Sequence, residues 1–190
     1  MITNKLTKKI EETTNNELML TTEEKDFAEN NQLLPEGVNV IEQNLFNDCI
    51  IERYNKETDE LISKESTAFL QKPLSYYKDN IQEYTFLESP VLDVVSLDAI
   101  AVEYDEVFEV YTAMFGLFIQ KKYTPEIRAF LDEHYNSEKM QYSMMFAANE
   151  GLWEINLPIN YLKGFNDSSS IEETYQFLYT FIFKLVSTIK

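Results

Sequence analysis

Apolar positions are most regular at the C-terminal end of the chain. Ile171, Tyr175, Leu178, Ile182, Leu185 and Ile189 recur at alternating steps of four and three, which aligns them along one face of a helix with about 3.6 residues per turn. Ser170 and Glu173 have the spacing of a capping box and mark where that helix begins. Glu172, Gln176, Thr180, Lys184 and Ser187 fall opposite, at solvated positions. Phe177, Tyr179, Phe181 and Val186 flank the seam and widen the apolar arc to about 200°, against about 100° for an ordinary surface helix. Phe183 projects into the polar face. One sheet cannot cover so wide an arc, so a second cover is expected. It is either the N-terminal helices of the same chain or a second protein or second copy, docked on Phe177, Phe181 and Phe183.

Upstream, residues 1–20 are polar, with Leu6 and Ile10 suggesting one face of a short, weakly anchored helix. Thr21 and Glu24 form a second capping-box pair, opening a helix through about Asn30 that Leu34-Pro35-Glu36-Gly37 ends. Residues 38–54 are β-like, with Cys49-Ile50-Ile51 as a buried strand before the turn at Asn55-Lys56-Glu57. Leu61, Glu65, Ala68 and Phe69 suit a helix from Thr58 to Lys72, stopped by Pro73. A short helical piece through Tyr77 follows.

Residues 84–87 and 99–104 read as strands. The stretch from Val107 to Gln120 fits both periods and is assigned as strand, from its β-branched and aromatic content and from Gly116. Thr124-Pro125-Glu126 opens a helix through about His134. Met140, Tyr142, Met144 and Phe146 face Trp153, Ile155, Leu157 and Ile159 across a hairpin at Asn149-Glu150-Gly151, with Pro158 at an edge or bulge. The expected fold is α+β, a mainly antiparallel sheet with the long C-terminal amphipathic helix and shorter helices packed on it. Residues 1–20 form a polar N-terminal segment and residues 21–190 a single domain.

Charge narrows the function classes. Sixteen basic against 33 acidic residues give −17, the wrong sign for neutralising nucleic-acid phosphates. The acids are spread along the chain, which solubility alone accounts for; a sharper alternative is an acidic face that imitates a phosphate backbone or meets a basic partner. The closing helix is barely long enough for a membrane span and carries two glutamates and a lysine, so no membrane partner is expected. Cys49 is the only cysteine, which fits a reducing compartment. The first residues lack the apolar core of a secretory signal, and a cytoplasmic location is expected.

Candidate chemistry is sparse. With one histidine and one cysteine, zinc sites built from those ligands are excluded, as is any serine–histidine dyad that does not use His134. His134 is expected to cap the C-terminal end of a helix. Glu103, Asp105 and Glu106 sit at a strand turn but lack the oxygen-rich loop with a central glycine seen in calcium sites. Gly37, Gly116, Gly151 and Gly164 are isolated, so no phosphate cradle is visible. No metal, cofactor or catalytic residue is assigned.

Six stretches, 24–29, 51–58, 84–89, 114–117, 120–123 and 151–156, resemble an uncharacterised family of small acidic cytosolic proteins from Gram-positive bacteria. Some members carry the label branched-chain amino acid aminotransferase. A pyridoxal-phosphate transaminase needs a Schiff-base lysine, a phosphate site and a partner for the pyridine nitrogen, and none can be assigned here. The expected function is therefore a non-enzymatic cytosolic protein-binding or regulatory protein, homodimeric or with a different protein partner, acting through Phe177, Phe181 and Phe183. The alternatives are a small enzyme with an acid pair in a pocket under the sheet, and an acidic inhibitor that mimics nucleic acid.

Overall fold

The computed structural model describes residues 1–14, 16–138 and 140–189. Its first third contains α1 (Ile2–Glu11), β1 (Glu17–Leu20), α2 (Thr22–Asn30), β2 (Asn39–Glu42), β3 (Ile50–Asn55) and β4 (Leu61–Glu65). The middle contains α3 (Tyr76–Asp79), β5 (Glu83–Glu88), β6 (Leu97–Asp105) and β7 (Val110–Leu117). Then come α4 (Thr124–His134), β8 (Ser143–Ala147), β9 (Leu152–Pro158) and α5 (Ile171–Thr188). Seven strands form an antiparallel sheet in the order β4-β3-β5-β6-β7-β9-β8, and β1 and β2 form a separate parallel pair. The fold is α+β, with the C-terminal helix on one face of the sheet. Among the described residues no helix is long and apolar enough to cross a membrane.

Strand alternation decides which face α5 takes. Leu87, Ile100, Val102, Ala113, Ile155 and Leu157 are fully buried and share one cluster with Tyr175, Leu178, Ile182 and Leu185 of α5. Both capping boxes form as their spacing predicts. The Ser170 hydroxyl accepts from the Glu173 amide while the Glu173 carboxylate accepts from the Ser170 amide, and Thr21 and Glu24 repeat the exchange. Across the sheet, the Tyr175 hydroxyl donates to the Thr85 carbonyl at 2.8 Å and ties α5 to β5.

Residues 107–120 hold the strand β7, as expected from their composition. Pro158 ends β9 opposite Thr112, beyond the reach of β8, whose pairing stops at Ser143 opposite Asn156. The missing amide therefore interrupts no ladder.

Two expectations are corrected. The helix predicted from Thr58 to Lys72 is instead β4 followed by a 3-10 turn over Thr67–Gln71. The Asn55 side chain accepts from the amides of Glu57 and Thr58 and reverses the chain, so β4 returns along β3 with Lys64 opposite Glu52. Arg53 then reaches Glu65 and Glu83, each at 2.7 Å, as well as Tyr76 and Ser63. The contacts to Glu65 and Ser63 exist only with β4 in the sheet, and this tertiary setting overrides a helical spacing of apolar residues.

The N-terminal twenty residues are also not weakly anchored. Ile2 and Leu6 are 1% and 0% exposed, and the amine of Met1 donates to the Ile189 carbonyl at 3.3 Å. Two apolar side chains one turn apart suffice because the surface they meet is already apolar. Lys9 adds an ion pair at 2.8 Å to Glu24, whose side chain is wholly buried.

Glu24 makes this contact sensitive to pH. Burial pushes its carboxyl above the ordinary value near 4.5, against the pull of Lys9 and the hydrogen bond from Thr21. A carboxyl whose folded value is raised binds more protons folded than unfolded, so its contribution to stability is lost as pH rises through that window. Lys9 limits the loss. Lys9→Met is expected to cost about 2 kcal/mol at pH 8, below the roughly 3–5 of a fully buried pair because Lys9 is partly exposed. The cost should be smaller at pH 5 than at pH 8, because burial favours the neutral form of Glu24 once its lysine is gone. Urea denaturation at the two pH values checks this, and an equal cost at both would contradict it.

Candidate functional site

Of the three phenylalanines expected to dock a partner, Phe181 and Phe183 are already covered by the chain itself and Phe177 partly so. Phe183 is 5% exposed and meets Phe27 of α2 edge to face at 6.0 Å. Phe181 is 6% exposed and packs on Phe130 of α4 at 5.3 Å. Phe177 is half-buried beside Phe165 in the loop before α5, at 6.3 Å. Polar contacts close the same side: Gln176 and Thr180 donate to the Glu23 carboxylate, and Tyr179 shares a hydrogen bond with Thr21 at 3.1 Å. The wide apolar arc of α5 is thus enclosed from three directions by α2, α4 and this loop. The docking surface predicted on Phe177, Phe181 and Phe183 is withdrawn.

The other face of the sheet is where a cavity lies. Residues that alternate with the buried set form rows across the strands. One row runs Lys64, Glu52, Phe86, Ala101, Met114, Asn156 and Ser143. A second holds Tyr54, Tyr84, Glu103 and Thr112, and a third Gly116, Glu154 and Met145. At their centre Ala99, Ala101 and Gly116 leave room that larger side chains would fill. The result is an open trough of about 530 Å³.

A Cβ at Gly116 would approach the Leu152 side chain to 3.3 Å, tighter than ordinary van der Waals contact. One wall is aromatic. Tyr54 and Tyr84 stack with ring centroids 5.3 Å apart, and Phe86 meets Tyr54 edge to face at 6.3 Å.

Asp59, Asp98, Glu103 and Glu154 line the trough against a single lysine, Lys56. Lys56 is engaged, lying 3.4 Å from Glu103 and donating to the Tyr104 carbonyl at 2.6 Å. Burial raises the Glu103 carboxyl, with Lys56 opposing. On the aromatic wall, Tyr54 donates to Glu52 at 2.5 Å, which pushes the phenol up to about 12 and holds Glu52 below the ordinary carboxylate value. Burial, with Asp59 nearby, raises Tyr84 as well. The rim is therefore anionic and the phenols stay protonated at neutral pH. Asp98 also borders a second depression, of about 330 Å³, together with Asp48, Glu88 and Asp93.

The residues weighed for chemistry are dispersed. His134 Nδ1 lies 2.8 Å from the Phe130 carbonyl and its ring stacks on Phe130, at the C-terminal end of α4 as expected. Cys49 is half-buried before β3, its thiol pushed up chiefly by burial. Asp105 accepts from the amides of Val107 and Phe108 and shapes the β6–β7 turn, apart from Glu103 on the trough. Among the described residues no three His, Cys, Asp or Glu side chains converge to hold a metal ion.

Fold and site together define an α+β protein with one helix-covered sheet face and one open, anionic face. Comparison with family models, curated proteins and solved structures found no match. The trough escapes a segment-by-segment reading because its lining comes from four strands, β5, β6, β7 and β9, whose mutual register no single segment reports. The one local signal is the run Leu97 to Glu103, in which Ala99 and Ala101 alternate with Ile100 and Val102.

Proposed function

We propose that the chain is a non-enzymatic protein-binding or regulatory protein whose binding surface is the trough on the open sheet face. The observation that carries this is the concavity itself: small residues at the centre of a sheet, between an aromatic wall and a polar one, with solvent above them. A sheet face meant only for solvent has no need of an alanine and glycine floor beside half-buried rings. Cavities of this size with an apolar base and a few converging polar groups are the usual seats of ligands and partner side chains. The lining supplies no histidine or cysteine, and its most desolvated carboxylate, Glu103, is tied to Lys56. Recognition is thus favoured over proton transfer or covalent chemistry.

Ala101→Trp tests the proposal by filling the trough without touching α5. Its apolar partners on the buried face are unaltered, so the thermal midpoint should stay within a few degrees of wild type. Proteins retained from a lysate by immobilised wild type should fall at least tenfold on Ala101→Trp. Retention of the same proteins in equal amount by both would count against the trough as the binding surface.

A further inference from the structure

We infer that the trough takes an extended, arginine- or lysine-bearing segment of a basic protein. This rests on the trough being the binding surface, and it names the chemistry of the occupant. Four carboxylates line the cavity against one lysine that is already paired, a local balance of 1 − 4 = −3. Among the described residues no second cation lines the cavity, so charge complementarity calls for a cationic guest. Acids alone would attract any cation diffusely. Here they surround an apolar base and an aromatic wall, which match the two halves of a long basic side chain. Its methylene stem covers apolar surface, and its charged head lies over an aromatic face or beside a carboxylate.

The trough also has the proportions of a peptide. Asp98 and Glu103 lie five residues apart on β6, a span of at most about 17 Å at roughly 3.3 Å per residue, because the register shifts between Leu97 and Ile100. An extended segment of about five residues fits that length, presenting side chains on one face at every second position. The alternative occupants are disfavoured by the same charges. A second copy docked through this face would bring the same acids together, which is repulsive. Nucleic acid and anionic lipid headgroups carry the sign of the rim.

A fluorescently labelled peptide alternating arginine and valine, titrated at physiological salt, tests the inference. Wild type should bind it. Asp98→Asn combined with Glu154→Gln should weaken binding at least tenfold, and so should Ala101→Trp. A control pair, Glu11→Gln with Glu126→Gln, removes equal charge from exposed positions on α1 and α4 and should change affinity less than twofold. Failure of the peptide to bind wild type, or an equal loss from both acid pairs, would overturn the inference, the latter by reducing binding to the diffuse field of an acidic chain. If the peptide fails while lysate partners still depend on Ala101, the basic occupant is wrong and the trough stands. If the peptide binds and Ala101→Trp has no effect, its seat is elsewhere and the inference falls.

Discussion

Phe183→Asp is expected to unfold much of the protein rather than to release a partner. The ring is 5% exposed and sits between Phe27 and Tyr179. Removing a buried phenylalanine costs about 3–5 kcal/mol, and a carboxylate in its place must either ionise in apolar surroundings or take up a proton. A combined loss of about 4 kcal/mol or more approaches the total stability of many domains, roughly 5–15 kcal/mol. Phe183→Leu keeps the site apolar and should cost about 1.5 kcal/mol. Urea denaturation separates the two substitutions. An unchanged midpoint for Phe183→Asp with an altered sedimentation coefficient would restore the docking surface that the structure withdraws.

Leu6→Ala is expected to destabilise the chain by about 3 kcal/mol, the middle of the range for a leucine truncated in a core. The effect would be notable for a segment so polar in sequence. Leu6 is fully buried, and it joins the cluster that contains α5. A loss below about 1 kcal/mol would show that α1 can detach while the remainder stays folded. Paired with Lys9→Met, the substitution also separates the apolar from the ionic part of the contact, because only the lysine variant should respond to pH.

Much of the architecture can be read from local patterns. Ser170 with Glu173 and Thr21 with Glu24 announce two helix starts because a capping box is complete within four residues. The hairpin of β8 and β9 follows from alternation alone. What escapes depends on distant partners. β1 is four residues, too short for a period, and is recognisable only from its parallel pairing with β2, which lies in the stretch whose pattern is already β-like. β4 carries the spacing of a helix, and the Arg53 network that holds it in the sheet draws on Glu83 and Tyr76, well downstream.

The candidate site was the least legible part. The width of the apolar arc on α5 was visible, but not which of its covers was realised; Phe27 and Phe130 are ordinary residues until the helices are placed. The trough depends on Ala101 standing beside both Phe86 and Met114. No periodicity in any single strand reports that adjacency.

The order in which these parts are synthesised has a further bearing on the protein in the cell. The sheet's apolar face is closed by α5, and α1 rests against that helix's far end, through the hydrogen bond from Met1 to Ile189. On a ribosome adding about 5–20 residues per second, every strand emerges before the segment that shields it. The nascent sheet therefore presents Leu87, Ile100, Ala113 and Leu157 to water until α5 has emerged, so that a stall between Pro158 and Ile171 would leave this apolar face uncovered.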